Sequence, residues 1–130
     1  MSEGSRLRAR RGFGHTRIWW LFNDNGNCQP ASVFAALRER NKATFDKMLA
    51  ILDYTERAGP PPYPNQYKPL GAGLFEFKVS KPAMLRLYAE ATKSGWLIVY
   101  AGTSKKGQSH DIEEARKRQR EARERGCDFE

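Results

Sequence analysis

The chain has 130 residues, of which 39% are hydrophobic and 29% charged. That is one domain's length, enough to bury a core without disulfide or metal staples. A net charge of +8 points to an anionic partner: nucleic acid, an acidic protein or a membrane surface. No apolar run approaches the ~18 residues of a membrane span, and no apolar segment follows the basic start as in a secretory signal. Cys28 and Cys127 lie far apart, with no CxxC or zinc spacing. Two free thiols in the cytoplasm, no metal and no cofactor are therefore expected.

The charge is unevenly placed. Residues 1–17 carry five Arg against one Glu, residues 18–110 twelve Lys/Arg against seven acids, and residues 111–130 six against seven. The body is basic without its ends. Residues 1–14, with Arg6, Arg8, Arg10 and Arg11 and no periodicity, are expected to form a disordered basic arm drawn to phosphates. Residues 15–130 are expected to form the single domain.

Residues 17–22 (RIWWLF) predict a strand, which NDNGN ends. Pro30 suits the first turn of a helix over residues 31–40, with Val33, Phe34 and Leu37 on one side. A second helix is expected over residues 44–57, with Phe45, Met48, Leu49 and Leu52 on one stripe. A break falls at Asn41–Lys42, unless the two helices run on. The Gly59–Pro64 run (GPPPYP) stops the second helix and serves as a stiff connector.

Residues 73–79 alternate, setting Phe75, Phe77 and Val79 against Leu74, Glu76 and Lys78. Residues 84–91 alternate again, with Leu85, Leu87 and Ala89 opposing Arg86, Tyr88 and Glu90. Their composition also suits a short helix, but the flanking turns favour a strand. Residues 96–101 (WLIVYA) form a continuous apolar strand, expected at the sheet centre. A polar loop, SKKGQSH, leads to a helix over residues 111–125, with acids in its first turn and cations further on. Its contact stripe of Ile112, Ala115, Gln119 and Ala122 is thin. The order β-α-α-β-β-β-α predicts an α+β domain in which two helices pack on an antiparallel sheet, with a charged C-terminal helix.

Four pieces, in this order, resemble the RelE/ParE toxin superfamily, and the HigB-like, phage-derived branch above all. Lys68-Pro69-Leu70 stands where the family has K-x-L. Leu74-Phe75-Glu76-Phe77-Lys78 resembles its L-[YFW]-E-[LF]-R strand. Arg86-Leu87-Tyr88 resembles the R-x-Y strand. Lys105-Lys106-Gly107-Gln108, before Asp111-Ile112-Glu113-Glu114-Ala115, resembles F-x-K-K-x-x-Q and the helix after it. Lys78 replaces the usual Arg, Ser104 the usual aromatic, and His110 a small residue or Pro.

The resemblance implies a small RelE-like fold and the toxin of a type II toxin–antitoxin pair, cutting mRNA without metal on the ribosome. It also implies neutralisation by an antitoxin, a helix-turn-helix protein, with no membrane partner. A gyrase-binding, ParE-like toxin and a phage-encoded RelE-fold binder are the alternatives. Cleavage needs cations to offset transition-state charge, an acid and a base, and RNA held in line. Arg86 is the expected phosphate clamp, because its planar fork matches phosphate oxygens. Its plain alternative is a structural pair with Glu76. Lys105 and Lys106 are expected to meet phosphate, unless they only line a solvated loop. Lys68, Lys78 and Gln108 are the further RNA-binding candidates. His110 lies beside two lysines, whose charge favours the neutral imidazole of a base; otherwise it is an idle helix-end histidine. Tyr88 could stack a base or give a proton, or simply pack. No Walker-type loop, GxGxxG or Ser-His-Asp set stands out.

Overall fold

The computed structural model describes residues 5–130. The elements are β1 (Leu7–Arg11), β2 (Ile18–Phe22), α1 (Gln29–Arg40), α2 (Lys42–Ala58), β3 (Tyr67–Gly71), β4 (Leu74–Val79), β5 (Leu85–Thr92), β6 (Gly95–Gly102), α3 (Gln108–Arg125) and β7 (Cys127–Phe129). The strands form one seven-stranded sheet in the order β3-β4-β5-β6-β2-β1-β7.

The domain is α+β, but the sheet is larger than expected and mixed rather than antiparallel. β3 to β6 are an antiparallel meander. β2 then lies parallel to β6, with Ile18 opposite Trp96 and Trp20 opposite Ile98. Both strands are continuous apolar runs, and such runs suit the centre, where both faces are covered. Ile18 and Trp20 enter the core under α1 and α2, while Trp19 and Leu21 enter the core under α3. The link from β2 to β6 passes through two helices and three strands, so no short turn forces the two strands to be antiparallel.

α1 and α2 cover one face. Trp20 and Phe34 stack with ring centroids 5.5 Å apart, and Phe34 and Phe45 with 4.5 Å. Asn41 separates the two helices and caps the second, its side-chain oxygen accepting from the Thr44 amide at 3.3 Å. Thr44 Oγ1 also bonds the Ala83 backbone, tying α2 to the β4–β5 turn.

α3 packs on the opposite face, which makes a third layer. Few apolar residues serve it: Ala115 and Ala122 are buried beside buried Gln119. Polar contacts do the rest. Arg116 donates to the carbonyls of Leu70 and Gly71, while Gln119 and Arg123 donate to Ala72 O and to the Glu90 carboxylate. The β3–β4 turn bares those carbonyls because Gly71 and Ala72 both adopt positive φ. The apolar contact stripe of α3 is thin, as expected, and its long polar side chains are the docking contacts.

The expected disordered arm is, over residues 7–11, strand β1, paired with β2 on one side and β7 on the other. Residues 1–4 lie outside the described residues. Leu7 and Ala9 point into the core under α3. Arg6 pairs with Asp128 and Arg8 and Arg10 with Glu130, so C-terminal acids take up cations that the sequence offered to phosphates. Arg8, by its hydrogen bond, holds the Glu130 carboxyl below its ordinary range. Two alternating apolar residues in an Arg-rich stretch gave too short a pattern to identify a strand, and its partner β7 is only three residues long. Leu7→Ala is expected to cost about 2–4 kcal/mol in chemical denaturation, because Leu7 is almost fully buried. A cost near zero would mean that β1 does not belong to the cooperative unit.

His15, between β1 and β2, is buried, and its Nε2 lies 2.6 Å from Asp53 of α2. The Glu56 carboxylate accepts from the amides of Thr16 and Arg17. Both thiols are free; Cys28 is buried and donates to Leu21 O. No helix among the described residues is long and apolar enough to cross a membrane.

Candidate functional site

The strand register sets two rows of side chains across the α3 face. Lys68 stands opposite Glu76, Glu76 opposite Tyr88, and Tyr88 opposite Tyr100. In the next row Lys78 stands opposite Arg86, and Arg86 opposite Gly102. Directly opposed residues share a sheet face, so alternation alone brings Lys68, Glu76, Lys78, Arg86 and Tyr88 onto one surface.

Their exposure divides them. Arg86 is only 6% accessible and Glu76 only 2%. Arg86 Nε lies 3.4 Å from Glu76 Oε1, and Arg86 also donates through a terminal nitrogen to Ser104 O at 3.3 Å. Gln108, half-buried at the start of α3, donates to the same Glu76 oxygen at 3.0 Å. In this conformation Arg86 is not a free phosphate clamp. It joins β4 and β5 to the loop that carries Lys105 and Lys106. Gln108, expected to meet RNA, is occupied in the same network.

Tyr88 is fully buried, and its hydroxyl has no hydrogen-bond partner among the described residues. Burial, with Glu76 and Asp111 nearby, pushes its ionisation well above the ordinary phenol range. It can neither stack on a base nor give a proton to substrate without a rearrangement. Tyr88→Phe is therefore expected to change stability by no more than about 1 kcal/mol, since the buried hydroxyl faces Glu76 without a well-formed hydrogen bond. A loss above that size in thermal unfolding would reveal a bond the hydroxyl makes.

Asp111 is the member that the sequence showed only as a first-turn acid. It is buried, and a Cβ on Gly102 would occupy the place of its carboxylate. Burial raises its ionisation, while His110 and Arg86 oppose the rise. The available signal was a glycine closing an apolar strand nine residues before an acid, which is too common to stand out.

The exposed members are Lys68, Lys105, Lys106 and His110, while Lys78 is half-exposed. Lys105, Lys106 and His110 fall within six residues, around the start of α3. An 18-residue helix begins there, and its N-terminal amides add partial positive charge. The buried network holds this exposed cationic end in place. Among the described residues, no group of three or more His, Cys, Asp or Glu could hold a metal ion. In comparison with known proteins, the chain matches no family model and no curated protein.

Proposed function

We propose that the chain is the toxin of a type II toxin–antitoxin pair, a RelE/HigB-type endoribonuclease that cuts mRNA on the ribosome without metal. The observation that carries this reading is the exposed Lys105–Lys106–His110 cluster at the α3 N-terminus, anchored through Ser104 and Gln108 to the buried Arg86–Glu76 pair. In the proposed reaction His110 takes the ribose 2′ proton. The 2′ oxygen bonds to phosphorus, and the bond to the 5′ oxygen breaks. Water gives that oxygen a proton as it leaves, and the His110 imidazolium returns its proton to the hydroxide so formed, giving a cyclic phosphate and a 5′-hydroxyl end. Lys105 and Lys106 offset the charge gathered on the phosphorane. Lys68 and Lys78 lead the strand along the sheet face. Arg86, Glu76 and Gln108 position the cationic loop rather than touch RNA. The partners under this reading are mRNA, the ribosome and a helix-turn-helix antitoxin, and the location is the cytoplasm.

A second reading has one specific support. Arg86 and Tyr88 are buried, so of the acid–base candidates named from the sequence His110 alone is exposed among the described residues, and that favours a non-catalytic toxin that binds gyrase or another target. Single-turnover incubation of the whole chain with mRNA, with and without ribosomes, separates the two. Fragments ending in cyclic phosphate support the nuclease. Intact RNA under both conditions leaves the binding-only reading.

A further inference from the structure

On the other side of β4 lies an open groove of about 680 Å³, between α2, the proline-rich connector and residues 78–81. Tyr54 and Tyr63, the exposed large hydrophobic side chains of the described residues at 36% and 61% accessibility, both line it. Lys47, Lys78 and Lys81 line it as well, and no acidic residue does. The acids of α2 are engaged elsewhere: Asp46 with Lys42, Asp53 with His15, and Glu56 with the Thr16 and Arg17 amides. Lys47 donates to Lys81 O at 2.9 Å, which fixes one wall against the other.

We propose that this groove binds single-stranded RNA, with a base stacked on Tyr63 and phosphates following Lys47 and Lys81. The inference rests on the RNA-directed reading above and extends its binding path. Aromatic faces interleaved with cations suit a single strand, because every base has a face to stack and the lysines track the backbone. The prolines make a stiff wall, which limits the ordering cost of a flexible ligand. An acidic helical peptide would need a row of accessible aliphatic anchors. Here the large aliphatic lining residues, Ile51 and Val79, are both buried, and the large exposed apolar side chains are the two tyrosines.

The test uses the full chain and a short, fluorescein-labelled, 2′-O-methyl RNA strand bearing 5-bromouracil, which cannot be cut through a 2′-hydroxyl. Tyr63→Ala, a surface change whose folding is checked by circular dichroism, is expected to weaken binding roughly five- to a hundredfold. Tyr63→Phe should bind like the original chain. Lys81→Ala should reduce the slope of log affinity against log salt by about 0.7. Photo-crosslinks are expected within residues 54–63 or 78–81. Equal affinity of folded Tyr63→Ala, or crosslinks confined to residues 105–110, would overturn the groove. So would a poly-glutamate peptide whose binding alone depends on Tyr63, which would make the groove a peptide site. Crosslinks in the groove without mRNA cleavage would remove the nuclease and keep the groove. Cleavage with unchanged Tyr63→Ala binding would do the reverse.

Discussion

Replacing Arg86 with alanine is expected to destabilise the fold by about 3–5 kcal/mol, because it leaves the Glu76 carboxylate buried without its cation. The sequence alone places Arg86 on the polar face of its strand, where its loss would remove a phosphate clamp but spare the fold. Burial reverses that expectation: both members of the pair are almost inaccessible, so water cannot replace the lost partner. The same change removes the guanidinium bond to Ser104 O and frees the loop that bears Lys105 and Lys106. The double variant Glu76→Gln/Arg86→Met removes both charges and keeps an acceptor for Gln108. It is expected to recover most of the loss, as buried ion pairs often can be replaced at little cost. Urea midpoints of the single and double variants provide the check. A cost below about 1 kcal/mol for Arg86→Ala would mean that the pair is open to solvent.

Several elements were legible from local chemistry. The alternation in residues 73–79 and 84–91 assigned faces that the structure keeps, with Phe77, Leu85, Leu87 and Ala89 under α1 and α2 and Leu74 and Tyr88 under α3. Proline in the first turn and the apolar stripes identified α1 and α2. What was hidden depends on partners distant in sequence. β1 and β7 are short, and each becomes a strand only beside its neighbours, β1 between β2 and β7 and β7 along β1. β3 carries Pro69, which suits an edge strand but masks it as a loop.

The candidate site was half legible for the same reason. Alternation places Lys78, Arg86, Glu76 and Tyr88 on one face, but it cannot say what covers that face. α3 does, and this turns Arg86 and Tyr88 from expected substrate contacts into buried support. Lys105 and Lys106, in the loop, and His110, in the first turn of α3, lie outside that cover and stay exposed.

The centre of the proposal is that cationic loop. The joint replacement Lys105→Ala/Lys106→Ala is expected to fold normally, since both side chains are exposed. It is expected to slow cleavage on the order of a hundredfold or more, the usual cost of ~3–4 kcal/mol for removing a charge aimed at the transition state. Each single change should cost less, because two neighbouring flexible ammoniums can partly cover for one another. The most direct measurement is the single-turnover rate of mRNA cleavage, with ribosomes present, by the original chain, the double-lysine variant and His110→Ala. The account predicts cyclic-phosphate products from the original chain and a collapse of the rate in the double-lysine variant, with a comparable fall for His110→Ala. Unchanged rates in folded variants, or no cleavage by the original chain, would contradict it.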